Sequence, residues 1–304
     1  MKLWKLSYEL KDRFDGPVTE HSFSLRCLPR ESTACEIRER ACQVFPPVAV
    51  GRGADSFGNG VLTGRIQEPH HSFAVRSTAT VLMRDEPLPA AKSYYALGMY
   101  RYPTRLTGMG RALLSFYQGI SLSFPAGTRQ RAAELMDRLY TSFRYVAGST
   151  SFYTGAEEAF EQGCGVCQDY AHILLALLRQ DKATCRYVAG AIPGEGQSHA
   201  WVEVWEEGSW YGLDPTHNCP AGDGYIPFAV GRDAWGCPLS RGIFRGNVVQ
   251  TQEVCVKMEE QRLDQDSGGP VHAGFGGSAD PEEPAGVRGR KNEKTDQYRD
   301  GGAW

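Results

Sequence analysis

No stretch of this chain approaches the ~20 consecutive apolar residues that a helix needs to cross a bilayer. A secretion signal is missing too, because Lys2, Lys5, Glu9, Lys11 and Asp12 interrupt the region that would have to be apolar. Both absences predict a cytoplasmic protein that does not engage a membrane. There is no charge excess either: 33 basic and 36 acidic residues leave a net charge of −3, and no basic stripe dominates any element. That argues against nucleic acid as a partner. Closely paired cysteines are scarce. Nine is an odd number, and only Cys164 and Cys167 are near neighbours, so a disulfide framework is not expected. Cys27, Cys35, Cys42, Cys185, Cys237 and Cys255 read as buried thiols. With no second Cys-x-x-Cys and no suitably spaced His pair, a zinc site finds little support, and neither metal nor cofactor is expected. No internal repeat is evident.

What is present is an ordinary globular composition, 41% hydrophobic and 23% charged, in a length of 304 residues that favours two domains. Residues 1–85 read as strands. Leu6, Tyr8 and Leu10 alternate with polar positions, as do Phe23, Leu25 and Cys27, and Phe73 and Val75 begin a further run. Turn chemistry at Asp15-Gly16-Pro17, Pro46-Pro47 and Asp55 to Gly60 separates them, which predicts a small antiparallel sandwich that supports a second domain. Residues 86–126, interrupted by Pro87, Pro89, Pro103 and Pro125, read as a connection. The 127–260 stretch then mixes helices and strands. Helical spacing marks Thr128 to Phe143, Glu157 to Gln162, and a run from Cys167 to about Arg179; strands follow at Cys185 to Gly190, His199 to Trp205 and Trp210 to Leu213. The last two are joined by Glu206-Glu207-Gly208-Ser209, a plausible hairpin turn. The fold class expected is α+β. From about residue 261 to 304 Gly, Pro and charged residues dominate, and such a tail buries too little to offset its ordering entropy.

Chemistry gathers at three places. Cys167 stands where the glycine-rich Gly163-Cys164-Gly165 becomes a helix, so its thiol meets the positive end of the helix dipole, which favours the nucleophilic thiolate. His199 heads one strand and Asp214 ends the next, and a tight hairpin brings such positions to one end of a sheet. A nucleophile, a base and a carboxylate that orients the base is the arrangement this order suggests. The free backbone N–H groups of the helix start, beginning with Gln168, are placed to hold an oxyanion. Singly, each residue has a structural explanation; together they favour a triad.

Other residues compete for attention. Cys164 and Cys167 also have the look of a thioredoxin-type redox pair, but that reading leaves His199 and Asp214 unexplained. His172, five residues after Cys167, lies about 140° round the helix and reads as a buried group bonded to a loop. His217 has a cleft-lining reading, and Asp169 serves the helix dipole or anchors a loop. Trp201 and Trp205 fit core or cleft wall equally.

These segments resemble the bacterial transglutaminase-like proteins of the papain-like cysteine superfamily. That family's nucleophile motif, Gly-x-Gly-Val-Cys-Gln-Asp-(Phe/Tyr)-Ala-His, is matched from Gly163 to His172; Ser-His-Ala-Trp-Val-Glu is matched by Ser198 to Glu203; and Asp-Pro-Thr is matched by Asp214 to Thr216, with His217 inserted before Asn218. Gly231-Arg232-Asp233 and Gly242 to Gly246 are similar to its closing segment, whereas Ala234-Trp235-Gly236-Cys237 departs from the usual aromatic and Asp-Val pattern. The resemblance covers about residues 1–258. It implies a papain-like, transglutaminase-like core, with the catalytic helix packed on an antiparallel sheet, preceded by a small all-β domain. It also implies Cys167, His199 and Asp214 as the triad and a peptide or protein substrate. Family members hydrolyse or transfer acyl groups at amide bonds through a thioester. Here hydrolysis is expected ahead of glutamine cross-linking, since nothing in the chain resembles the acidic calcium sites of the large animal cross-linking enzymes. A non-catalytic binding module is the further alternative, disfavoured because all three residues are present.

Overall fold

The computed structural model describes residues 1–84, 97–120 and 127–262. The expected connection at 86–126 therefore falls partly outside the described residues, and the tail expected at 261–304 lies outside them from residue 263 onward. In chain order the strands are β1 (Lys2–Leu25), β2 (Cys35–Phe45), β3 (Gly51–Ala54), β4 (Gly60–Ile66), β5 (His70–Met83), β6 (Arg144–Tyr145), β7 (Cys164–Gly165), β8 (Cys185–Ala191), β9 (Gly194–Gly196), β10 (His199–Glu206), β11 (Ser209–Asp214), β12 (Cys219–Ala221), β13 (Ile226–Gly231), β14 (Ser240–Arg245) and β15 (Gln250–Gln261). The α-helices among the described residues are α1 (Arg111–Ile120), α2 (Thr128–Ser142), α3 (Ala156–Gln162) and α4 (Cys167–Gln180). No described helix is long and apolar enough to cross a membrane.

Period-two alternation builds the first sheet. Leu6, Tyr8 and Leu10 are buried while Lys5 and Lys11 are exposed, and β1 runs through them. The Asp15-Gly16-Pro17 turn does not end this strand as expected; it changes the strand's partners. Before it β1 lies between β5 and β15, and beyond it between β4 and β14. The pairing register slips between Arg13 and Val18, and Pro17, which has no N–H to give to a ladder, sits inside that slip. Two more turns fall where expected. β2 stops at Phe45 before Pro46-Pro47, and the β3–β4 hairpin closes over Asp55, whose Oδ1 accepts from the backbone of Phe57 and Asn59. β14 and β15, within the 127–260 stretch, both pair with β1, so the two ends of the described chain share one sheet.

The second sheet has the order β12-β11-β10-β8-β13, antiparallel throughout. The apolar face of α4 packs on it. Tyr170, Ile173, Leu174, Leu177 and Leu178 join Ala200, Val202 and Val204 of β10 in one core, each large side chain contributing about 2 kcal/mol by leaving water. α2 packs beside α4 and also touches β10 and β11, and α3 packs on α4. Trp201 points away from that core, buried against Val188 and Val230 with its ring stacked near that of His199 and edge-on to Tyr225, and Trp205 packs on Trp210. The two sheets are joined by Asn59, whose side chain donates to Val230 O and accepts from Val230 N, both at 2.8 Å.

The cysteines are free. Cys27, Cys35, Cys185 and Cys237 are buried, as expected, but Cys42 is half-buried and Cys255 is exposed. On β15 the inward positions belong to Val256 and Met258, which leaves the intervening parity, and Cys255 with it, facing solvent.

Candidate active site

The start of α4 is held by its own sequence. Gly163 closes α3 in the left-handed region (φ 69°), where its N–H reaches Ala159 O and Phe160 O. The chain then passes through β7 to Val166, extended, and enters the helix at Cys167. Asp169 clamps this entry. Its Oδ2 accepts from Val166 N at 2.7 Å and from Thr150 Oγ1 at 2.5 Å. The carboxylate fits because residue 165 is glycine: a Cβ there would lie 2.5 Å from Oδ2. Burial pushes the Asp169 carboxyl up, although these hydrogen bonds pull it down. Asp169 and Tyr170 give their N–H groups to Val166 O, while those of Cys167 and Gln168, at the first turn, have no carbonyl four residues back within the helix.

The hairpin of β10 and β11 supplies the partners. With Val202 opposite Leu213, His199 at the start of β10 and Asp214 at the end of β11 come to one end of the sheet, and His199 Nε2 lies 2.7 Å from Asp214 Oδ2. Cys167 lines the same cleft as His199, and its sulfur acts on the charge of the ring. Burial opposes charge on His199, but the hydrogen bond to Asp214 and the neighbouring Cys167 outweigh it and hold the imidazole up to about 9. Burial likewise opposes charge on Asp214, and hydrogen bonds from His199, His217 and Tyr225 outweigh it, keeping the carboxyl well below the usual carboxylate range.

Asp214 is the hub of the site. Its Oδ2 also takes His217 Nδ1 at 2.7 Å and the Tyr225 hydroxyl at 2.8 Å, and its Oδ1 accepts from Thr216 N at 2.9 Å. The Tyr225 phenol is driven far up by burial, its bond with Cys219 and the Asp214 charge, so it stays a donor. Tyr225 was not visible in the sequence, where it reads as part of a Gly-Asp-Gly-Tyr turn; a buried carboxylate in need of donors is the only signal that could have pointed to it. His172 is buried and accepts from Ala234 N at 3.1 Å, the loop bond expected of it, with burial lowering it to about 4. Among the described residues, His199, Asp214 and His217 also form a group whose ligand atoms lie within 4.8 Å of one another. A cation there would have to displace the donors on Oδ2 and draw His199 away from the sulfur.

Cys167, Gln168 and His199 line one cleft of about 280 Å³, walled by Tyr187, Ala189 and Ala234 and by Tyr8, Leu10, Gln252 and Val254 of the first sheet. A larger cavity of about 570 Å³, bounded by Phe57, Arg105, Arg232 and Trp235, contains none of the three. The smaller one is the one that holds Cys167, Gln168 and His199 together. It can take an acyl group at the sulfur, with a proton store beside it and amide donors at the helix start.

Comparison with known proteins agrees with this architecture. The core of the transglutaminase-like superfamily matches residues 120–215, and the bacterial transglutaminase-like N-terminal region matches residues 5–82. An uncharacterized protein of Mycobacterium leprae is 26% identical over 265 residues, spanning 81% of this chain and 94% of that protein. One from Mycobacterium tuberculosis is 27% identical over 281 residues, spanning 80% and 88%. A solved structure of a candidate cysteine protease from Cytophaga hutchinsonii shares the fold with a TM-score of 0.73 at 22% identity, over 87% of this chain and 92% of that one. The chain belongs to the transglutaminase-like superfamily, with that superfamily's core following a bacterial transglutaminase-like N-terminal region.

Proposed function

We propose that the protein is a cysteine peptidase or amidase that cleaves amide bonds in peptides or proteins. The observation that carries this reading is the buried His199, bonded to Asp214 at 2.7 Å in the cleft that Cys167 also lines, and held up to about 9. An imidazole held up in this way is able to keep a proton taken from the sulfur.

The steps follow from that pairing. The Cys167 sulfur attacks the amide carbonyl carbon, and the oxygen gathers charge toward the Gln168 N–H at the helix start. His199 gives its proton to the leaving nitrogen as the C–N bond breaks, leaving a thioester on Cys167. It then takes a proton from water, whose oxygen attacks the thioester and frees the acid. Asp214, fixed from two sides by His217 and Tyr225, keeps the ring aimed through both halves.

The test is a labelled-peptide profile read by mass spectrometry, with and without a primary amine, on wild type and Cys167→Ala. Products carrying one added water, lost in Cys167→Ala, are expected. A dominant amine adduct would identify acyl transfer instead. Iodoacetamide labelling of Cys167 no faster than of the other thiols would end the enzymatic reading.

A further inference from the structure

Three aromatic side chains that the mechanism does not use run from the cleft, which Phe152 lines, to the larger cavity, which Trp235 bounds. Phe152, Tyr153 and Trp235 are 37%, 39% and 43% exposed, yet they are mutual neighbours: the Phe152 and Trp235 ring centroids lie 5.9 Å apart, Tyr153 and Trp235 5.6 Å, and Phe152 and Tyr153 5.6 Å. Leaving three large rings together at a surface has a cost in water, because each forgoes the burial that usually holds an aromatic inside. Such a cluster marks a binding surface more often than a scattered exposed residue does. Its position makes it specific. Phe152 itself lines the cleft with Cys167, and so does Ala234, next to Trp235. Gln168, the residue after the nucleophile, donates its side-chain amide to Phe152 O at 3.2 Å, tying the cluster to the start of α4. Trp235 also falls within Ala234-Trp235-Gly236-Cys237, the four residues that depart from the pattern this chain otherwise follows.

We propose that Phe152, Tyr153 and Trp235 form a side-chain subsite that takes an aromatic or large aliphatic residue of the peptide whose carbonyl is attacked by Cys167. This rests on the amide-cleaving reading above and names its substrate class. The ring geometry selects the occupant. The rings meet at interplanar angles of 39°, 50° and 87°, which makes one uneven apolar surface on which a side chain can pack edge to face. A sugar ring needs a flat open aromatic face. The indole that might offer one is covered on one side by the Arg241 guanidinium, 4.9 Å from its centroid. The same cation sets a positive charge beside the apolar rings.

The test uses the full chain. Peptides that differ only in carrying Phe, Leu, Ala or Gly at each position around the cleaved bond are compared by kcat/KM. Wild type is expected to prefer Phe and Leu at one position by roughly tenfold or more, the discrimination an apolar pocket of this kind can supply. In Trp235→Ala and Phe152→Ala that ratio is expected to fall several-fold, mainly through KM, and Trp235→Phe, which keeps a ring, should retain most of it. Iodoacetamide labelling of Cys167 needs no side-chain subsite and reports whether each variant still assembles its site. Cleavage without aromatic or aliphatic preference, or a preference unchanged in both alanine variants, would overturn the proposal while leaving the amide-cleaving reading intact. Absence of any cleavage together with ordinary Cys167 labelling would instead remove the reading on which it rests. A binding arm makes the subsite testable without turnover. Titrating Cys167→Ala with N-acetyl-phenylalanine amide, N-acetyl-alanine amide and a chito-oligosaccharide, followed by the NMR shifts of the tryptophan indole N–H groups, should show saturation by the phenylalanine compound alone. Saturation by the oligosaccharide would identify a glycan platform and refute the side-chain subsite.

Discussion

His217 and Asp214 form a second imidazole–carboxylate pair inside the site: His217 Nδ1 lies 2.7 Å from the same Oδ2 that holds His199. The two histidines differ in exposure, since the His199 side chain is almost buried and that of His217 is half exposed. His217 therefore steadies Asp214 from the solvent side while His199 works within. His217→Ala should lower kcat by roughly threefold to tenfold, about the worth of one ordinary hydrogen bond made from a half-exposed side chain. Asp214→Ala, which removes the hub, should cost several orders of magnitude, as for carboxylates that set a catalytic imidazole. Parallel kcat measurements decide this. Equal losses in the two variants would mean that His217, and not Asp214, organises His199.

The pH dependence follows from the direction of the two shifts. His199 is held up to about 9, so its imidazolium persists through neutral pH and is lost as pH rises past that value. Alkylation of Cys167 paired with an imidazolium should change in rate through this range, and turnover should fall on the alkaline side. Asp214→Asn should move the alkaline limb downward by the part of the shift owed to the carboxylate. Stability has the same sign. A histidine raised from 6.5 to about 9 stabilises the fold fully below 6.5, and the contribution, roughly 3 kcal/mol at most, disappears as pH climbs through 9. The Asp214 contribution is complete above its unfolded value near 3.8 and is lost on acidification. Urea denaturation at pH 7 and pH 9.5 should show a larger loss for wild type than for His199→Asn; equal losses would show that His199 is not charged in the folded protein.

Much of this site was legible because its parts are local. Cys167 at a helix start, His199 at a strand start and Asp214 at a strand end each follow from patterns a few residues long, and one hairpin brings the last two together. What escaped needed distant contacts. Tyr225 reaches Asp214 only because the chain after β12 turns back over the carboxylate, and no periodicity encodes that. The continuity of β1 through Asp15-Gly16-Pro17 was hidden for a related reason. The tripeptide does change the chain's direction of pairing, but the hydrogen-bond partners that keep it a strand, β4 and β14, lie far off in sequence. Cys255 was misplaced because burial on a strand depends on which face meets a sheet, and a thiol fits either.

Asp169 is best understood as the clamp of the nucleophile loop. Its Oδ2 joins Val166 N and Thr150 Oγ1, so Asp169→Ala strands a backbone N–H and a hydroxyl in a largely buried setting. The expected destabilisation is about 2 kcal/mol, with Thr150→Val costing about half as much. Activity should fall further than stability, since the loop carries the sulfur. Urea titrations and iodoacetamide rates on both variants test this. If Asp169→Ala lost stability but alkylated Cys167 at the wild-type rate, the clamp would be structural alone.

Glu203 closes the Ser-His-Ala-Trp-Val-Glu segment, yet its partner is not in the cleft. Its Oε2 receives Arg186 Nε at 2.6 Å and a terminal guanidinium nitrogen at 2.5 Å, both side chains are less than a tenth exposed, and the guanidinium lies 4.0 Å from the Trp210 ring centroid. The pair locks β8 to β10 at the end of the sheet away from His199, with Glu203 opposite Arg186 in the ladder. Two charges taken out of water together gain little net stability, but one left without the other is expensive. Glu203→Ala should therefore destabilise the protein by about 3–5 kcal/mol by leaving Arg186 buried and unpaired. Replacing both, as Arg186→Met with Glu203→Leu, should restore most of that loss because the apolar pair fills the same space without desolvating charge. Chemical denaturation of the single and double variants separates the two effects. A double variant as unstable as Glu203→Ala would show that the ion pair itself, beyond the avoidance of a stranded charge, holds these strands together.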